Sequence, residues 1–201
     1  MWARVISGSV SQIYTRPKSL TIGDVNYPSN IFMLWTASEL EAIGIYEVVI
    51  DNSNYKDIEY YTNTNQTFAF AGGTVTASYG AATAKPLDDV LWTAEDEAAD
   101  ATNVEGTVKQ NGVRPPKLVI VDQQAYSLLL SNDWMVIKAT ETGGSVASAW
   151  TTYRAAVRTA DASMKTKINA VSDVDALAAL YVYNDATPQV RPLGEFPIAP
   201  Q

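Results

Sequence analysis

Aspartate and glutamate are the only residues with chemically reactive side chains that cluster closely enough in this sequence to suggest a catalytic or metal-binding site. Asp88 and Asp89 stand together, and an acidic run occupies positions 95–100. Paired carboxylates can act as a general acid and base, or can hold a cation. These, however, have few polar or aromatic neighbours and adjoin a segment rich in glycine and proline, which is typical of a solvated acidic surface. We therefore expect a surface here and no catalytic residue.

The chain contains no histidine and no cysteine. A Ser-His-Asp or Cys-His site is thereby excluded, as is metal ligation by imidazole or thiolate. An EF-hand-like pattern begins at Asp51, Ser53 and Tyr55. It fails because Lys56 replaces the turn glycine and Thr62 replaces the bidentate glutamate. The sequence predicts a protein that is not an enzyme and that uses no cofactor and no metal.

Charge and hydrophobicity limit the possible partners. The formal net charge is −8, whereas nucleic-acid-binding proteins depend on clustered lysine and arginine. Hydrophobic residues make up 47% of the chain and charged residues 18%, which is typical of a folded globular protein. No apolar run approaches the roughly 20 residues that span a bilayer. We expect no nucleic-acid partner and no membrane partner.

The first part of the chain has the pattern of strands and turns. Short β-rich runs separated by glycine-containing turns predict three hairpins, and a run of carboxylates after Thr36 or Ser38 predicts a short helix that ends at Gly44. The predicted strands are 2–6, 10–15, 20–22, 25–27, 45–50, 57–62, 66–71 and 74–79. These elements define a β-rich domain over 1–92.

The pattern changes to helical after an acidic linker, rich in proline and glycine, over 93–117. Helices are predicted at 118–130 and 146–160, and 161–171 continues or follows the second one. Residues 134–139 are expected to form a strand or an extended connector. Asp173 and Asp175 are expected to cap a further helix that begins at 176. The helical module covers 118–183, and a proline-rich tail over 184–201 is expected to be extended.

These elements place the protein in the α+β class. We expect an N-terminal antiparallel β-rich domain with one short helix, followed by a C-terminal helical hairpin region.

One segment of the helical module is distinctive. Residues 128–138 read LLLSNDWMVIK, and residues 149–158 read AWTTYRAAVR. This order and spacing resemble the C-terminal module of phage tail assembly chaperones and tail-fibre-associated proteins. The tail sequence PLGEFP resembles the proline-containing tails of the same proteins. Less specifically, the opening WARV resembles the N-terminal modules of small phage tail proteins. The motif residues are Asp133, Trp134, Trp150, Tyr153, Arg154 and Arg158.

The resemblance implies a non-enzymatic tail protein that acts at the tail fibre or baseplate. Such a protein is either a fibre-associated structural component or a fibre assembly chaperone. The implied partners are phage tail-fibre or baseplate proteins, and the implied assembly is a homotrimer or a heteromeric complex. The implied locations are the virion tail and, during assembly, the host cytoplasm.

The motif residues also have a physical interpretation as a docked helical pair. Trp134 is expected to pack on the preceding helix and on Trp150 and Tyr153. Arg154 and Arg158 are expected to form charge-assisted bonds with Asp133 or Glu141. On this interpretation the aromatic residues stabilise the module more than they contact a partner.

An alternative function is recognition of host glycans by the strand-rich domain. Aromatic faces can stack on sugar rings, and Tyr55, Tyr60 and Tyr61 lie in a segment rich in asparagine and threonine. Trp35, by contrast, lies beside aliphatic residues and is expected to be a core anchor. The alternative is therefore a host-glycan-binding module of the phage tail.

Overall fold

The computed structural model describes residues 1–200 and has the expected α+β fold. The chain divides into two compact units, Met1–Thr83 and the remainder from Ala84 onward. The predicted boundary at 92 lies too late in the chain. Residues around 90 pair with a strand near 109, so that tertiary pairing assigns them to the second unit.

The first unit opens with two antiparallel hairpins. Strands β1 (Trp2–Ile6) and β2 (Ser9–Tyr14) form the first, and β3 (Leu20–Ile22) and β4 (Val25–Tyr27) form the second. Gly23 adopts a φ of 60° in the β3–β4 turn, a conformation that glycine reaches without a steric penalty. Both hairpin predictions are confirmed.

Two short helices follow where one was predicted. They are α1 (Ile31–Leu34) and α2 (Ala37–Ala42). The Thr36 hydroxyl accepts from the Glu39 N–H, and the Glu39 carboxylate accepts from the Thr36 N–H, so the start of α2 is a capping box. α1 was missed because it has no side-chain cap and no charged residue at either end.

Five further strands follow. They are β5 (Ile45–Asp51), β6 (Tyr61–Thr62), β7 (Gln66–Ala71), β8 (Thr74–Tyr79) and β9 (Thr83–Ala84). Strands β5, β7 and β8 complete a curled sheet, whereas β6 and β9 pair with each other. The β7–β8 hairpin is antiparallel as predicted, whereas the strand expected over 57–62 is a turn followed by β6.

The main sheet has the order β2-β1-β5-β8-β7. It is mixed, because β5 and β8 run parallel with Val48 opposite Val75. The expectation of an antiparallel domain is therefore wrong for this one pair. An alternating apolar pattern identifies a strand and its buried face, but it does not encode the direction of a neighbour that is distant in sequence.

Both faces of the main sheet are packed. Ile45 lies in a cluster with Phe32 and Leu40, whereas Val48 lies in a second cluster with Val75. Ile45 and Val48 are an odd number of positions apart, so a strand directs them to opposite faces. Burial on both sides accounts for the hydrophobic residues in the first half of β5, whereas Val49 and Ile50 are more than half exposed.

The second unit contains the whole of the predicted linker. Strands β10 (Val90–Leu91) and β11 (Val108–Gln110) pair around the helix α3 (Ala94–Ala99), which Thr93 and Asp96 cap. The long helix α4 (Arg114–Leu130) then follows, with prolines 115 and 116 in its first turn. The interpretation of 93–117 as a linker is wrong, because proline in the first turn of a helix loses no hydrogen bond and does not break it.

Three further helices follow α4. They are α5 (Asp133–Thr142), α6 (Ser148–Ala170) and α7 (Val174–Ala179). Residues 134–139 belong to α5, so the strand or connector expected there is wrong. Gly143, with a φ of 66°, ends α5 in the left-handed conformation common after helices. The Asp173 side chain accepts from the Ala176 N–H at 2.8 Å and caps α7.

The C-terminal segment packs back on the helices. Leu193 is 2% exposed, and the Lys167 ammonium donates to the carbonyl oxygens of Pro192 and Leu193 at 2.8 and 3.1 Å. The Gly194 N–H donates to the Arg191 carbonyl, which makes a turn. The prediction of an extended tail is wrong here, because buried Leu193 and these bonds hold the segment in place. Of the helices within residues 1–200, none is long and apolar enough to cross a membrane.

Candidate functional site

Arg154 of α6 is the centre of the motif. Its Nη2 lies 2.6 Å from Oδ1 of Asp133, the first residue of α5. Its Nη1 donates to the Leu129 carbonyl at 3.0 Å and also to Oδ1 of Asn132. Leu129 lies in the last turn of α4, whose final carbonyls have no partner within the helix. One side chain of α6 therefore fixes the end of α4 and the start of α5, as expected for the Arg154–Asp133 pair.

Asn132 is a member of this network that the sequence analysis missed. Its side chain is almost fully buried, at 1% exposure, and its amide donates to the Leu128 carbonyl at 2.7 Å. With its oxygen on Arg154, the side chain bonds on both sides, as a buried amide must. A signal was present in the sequence, since Asn132 is a polar residue between the leucine run and the Asp-Trp pair.

Trp150 and Tyr153 are packing residues, in agreement with the expectation. Their rings meet edge to face with centroids 5.7 Å apart. Tyr153 is buried with Val157 and Ala125, and Trp150 covers this cluster. The predicted apolar face of α6 therefore docks on α4.

Trp134 does not pack as predicted. It is 56% exposed, and none of the ten residues of α5 is buried. The Lys138 ammonium lies 6.0 Å from the centroid of the Trp134 ring, at the limit of a cation–π contact. The Arg154 network directs α5 away from the α4–α6 core, which leaves Trp134 outside it.

Arg158 also departs from the prediction. It is exposed, and its Nη1 donates at 3.4 Å to the main-chain carbonyl of Arg154. No ion pair joins it to Asp133 or Glu141 within residues 1–200. Asp133 is already bound by Arg154, which lies one helical turn closer to the α4–α5 junction.

The exposed residues of α5 form the candidate site. Ile137 and Lys138 lie three and four positions after Trp134, so both neighbour it on one face of the helix. Ile137 is 58% exposed. Beside Trp134 and Lys138 lies a hollow of about 220 Å³, closed on its other side by residues 144–147. We call Trp134, Ile137 and Lys138 the α5 surface.

The predicted acidic residues have structural partners. Asp88 pairs with Arg114 at 3.0 Å, and Asp89 accepts from the Gly112 N–H at 2.7 Å. Asp96 caps α3 and binds the Lys109 ammonium at 2.9 Å. Within the described residues, no three acidic side chains gather as metal ligands would. Asp51 also belongs to an ordinary turn, because its carboxylate accepts a hydrogen bond from the Ser53 N–H.

The aromatic residues of the glycan alternative are mostly inaccessible. Tyr60 and Tyr61 are 5% and 9% exposed, so they belong to the interior of the first unit. Tyr55 is half exposed and its ring lies 4.9 Å from that of Tyr79. Trp35 packs edge to face on Tyr27 and is a core residue, as expected.

No protein-family model, curated protein or solved structure matches this chain. The functional argument therefore depends on the motif residues and on the α5 surface.

Proposed function

We propose that this chain is a non-enzymatic bacteriophage tail protein that acts at the tail fibre or baseplate, either as a fibre-associated structural component or as a fibre assembly chaperone. The observation that carries the proposal is the exposure of Trp134 within the very motif that resembles tail-fibre-associated proteins. The proposed binding site is the α5 surface.

The composition of the α5 surface supports a protein partner. Tryptophan is enriched among the residues that dominate binding energy, and apolar burial contributes about 25 cal/mol per Å². Ile137 extends the apolar area, while the Lys138 ammonium supplies a charge at its edge. Such an apolar centre with a polar rim is the usual anatomy of a protein interface.

The hydrogen bonds that fix the start of α5 also support this proposal. The Arg154 bonds hold the first residue of α5 against α6 and against the end of α4, although no residue of α5 is itself buried. The helix is therefore oriented before a partner arrives. A preorganised surface loses less conformational entropy on binding than a mobile one.

Co-purification tests the proposed interface. The full chain is co-expressed with the tail-fibre and baseplate proteins encoded beside it, and the complex is captured through a tag on this chain. Wild type is expected to retain one of them, and W134S combined with I137S is expected to lose it. V104S is the matched control, because Val104 is an exposed apolar residue of the same unit. Equal retention by both variants would contradict the proposal.

Quantitative mass spectrometry of purified virions separates the two roles. A structural component is present at a fixed copy number relative to the fibre protein. An assembly chaperone is absent or substoichiometric in the mature particle. A chain that neither enters virions nor binds a tail protein is not a phage tail protein.

A further inference from the structure

A groove in the second unit runs between α4 and the C-terminal segment. Its volume is about 610 Å³, and small-molecule sites usually measure about 300–1,000 Å³. On α4 the lining extends from Ile120 to Leu128, about 12 Å of helix axis at about 1.5 Å per residue. Phe196 supplies an aromatic ring from the other side and packs against the buried α4–α6 cluster. The groove thus has apolar lining groups that the core holds in place.

The α4 wall of the groove carries neutral polar groups. Gln123 and Gln124 are exposed, and neither amide is hydrogen-bonded to another side chain in the described part of the chain. Ser127 lies one turn further along, where its hydroxyl donates to the Gln123 carbonyl at 2.8 Å. Each amide can donate and accept at once, and the serine oxygen can still accept. The wall offers mixed donors and acceptors with no charge.

The opposite wall contains a compensated ion pair. Arg191 Nε lies 2.7 Å from Oε1 of Glu195, and the guanidinium also stacks near the ring of Tyr183, at 5.3 Å. The Tyr183 hydroxyl donates to the same carboxylate oxygen at 2.7 Å. The arginine charge is therefore balanced locally, and the pair is held in one geometry. Carboxylate lone pairs remain for a ligand hydroxyl.

These walls exclude most classes of ligand. An anion needs a cation that is still free to pair with it. The Arg191 guanidinium is already paired with Glu195. A wholly apolar ligand would strip water from the glutamine amides and from Glu195 without replacing their hydrogen bonds. A peptide that binds by adding a strand needs a free backbone edge, and the helical backbone of α4 has none.

We infer that this groove binds a neutral saccharide. Each hydroxyl of a sugar both donates and accepts, which matches the two amides and the carboxylate, and its C–H face is apolar enough to lie against the Phe196 ring. An open groove accepts a short chain of sugar units. The site is in the helical unit and shares no residue with the tyrosines considered in the strand-rich unit. It is also independent of the α5 surface, so it stands or falls separately from the proposed function.

NMR on the full chain tests this inference, with ligand-observed spectra to detect binding and protein-observed amide spectra to locate it. The probes are maltotriose, cellotriose and tri-N-acetylchitotriose at millimolar concentration, with a sulfated disaccharide and a neutral decapeptide for comparison. At least one neutral trisaccharide is expected to bind and to shift the amide resonances of Gln123, Gln124 and Phe196. Binding of only the sulfated sugar or only the peptide, or of no probe, overturns the inference.

A paired variant locates the site. Q123A combined with Q124A removes both amides from exposed helical positions, where alanine preserves the helix. It is expected to weaken saccharide binding at least about tenfold, the consequence of losing two hydrogen bonds. The matched control is Q110A, an exposed glutamine of the same unit, which is expected to bind as wild type does. Unchanged affinity in the paired variant with an unchanged melting temperature would rule the groove out.

Discussion

Arg154 Nη2 lies 2.6 Å from Oδ1 of Asp133, while the Nη1 of the same guanidinium donates to the carbonyl of Leu129. The side chain of α6 thus holds the two sides of the α4–α5 junction together. Arg154 is largely shielded from solvent, with 11% of its side chain exposed, whereas 43% of the Asp133 side chain is exposed. The contact therefore stabilises the fold more through the oxygen of the buried Asn132 side chain than through the partly exposed ion pair.

Substitution of Arg154 by alanine is expected to lower the free energy of unfolding by about 2–3 kcal/mol. The loss arises because the buried Asn132 oxygen loses its charged donor, whereas the Leu129 carbonyl keeps the Asn132 N–H. Arg158→Ala is the control, since it removes an exposed arginine with one long hydrogen bond, and it is expected to change stability by less than about 0.5 kcal/mol. Urea denaturation followed by circular dichroism measures both. Equal effects would mean that the network contributes little.

The two tryptophans of the motif are expected to behave in opposite ways. Trp150→Ala should lower the free energy of unfolding by about 2–3 kcal/mol, because Trp150 covers the cluster around Tyr153. Trp134→Ala should change it by less than about 1 kcal/mol, because the side chain is 56% exposed. Denaturant titration of both variants tests this contrast. A large loss for Trp134→Ala would show that Trp134 is a packing residue after all.

Leu193 is expected to anchor the C-terminal segment. Leu193→Ala removes a side chain that is 2% exposed and should lower the free energy of unfolding by about 2–4 kcal/mol. Ile198→Ala, five positions later, removes a side chain that is 93% exposed and should be nearly neutral. Limited proteolysis provides a second measurement, because a released segment is cut faster. Equal protease sensitivity of the two variants would contradict an anchoring role.

The stability of the α3 region is expected to depend on acid pH. Hydrogen bonds to Asp96 from Lys109, and then from the N–H and hydroxyl of Thr93, hold the pKa of its carboxyl below the usual value. A lowered pKa stabilises the folded state above the pKa of the unfolded chain. That stabilisation is lost as the pH falls through the lowered value.

Carbon-detected NMR titration of the Asp96 carboxyl measures this directly. Lys109→Met is expected to raise the pKa of Asp96 toward its usual value, because it removes the largest contribution. Lys18→Met, which removes an exposed lysine of the first unit, is the control and should leave it unchanged. An Asp96 titration that is identical in wild type and Lys109→Met would show that the ion pair does not form in solution.

Local patterns predicted the features that depend on neighbouring residues. The three hairpins follow from strand runs separated by glycine turns, and the helix caps at Thr36 and Asp173 follow from side chains that can reach an N–H three residues away. The Arg154–Asp133 pair was also accessible, because both residues belong to one recognisable motif. Neither the helix α5 nor the exposure of Trp134 could be obtained in this way.

By itself, the sequence of this protein determined its α+β class, its hairpins and the apolar face of α6. These depend on the alternation of polar and apolar residues over short distances. Only the tertiary structure decided that β8 runs parallel to β5, that Leu193 is buried and that Trp134 is not. Burial depends on which distant surfaces meet, and tryptophan has the same hydrophobicity in a core as on an interface. The α5 surface was therefore visible only once α4, α5 and α6 had been packed.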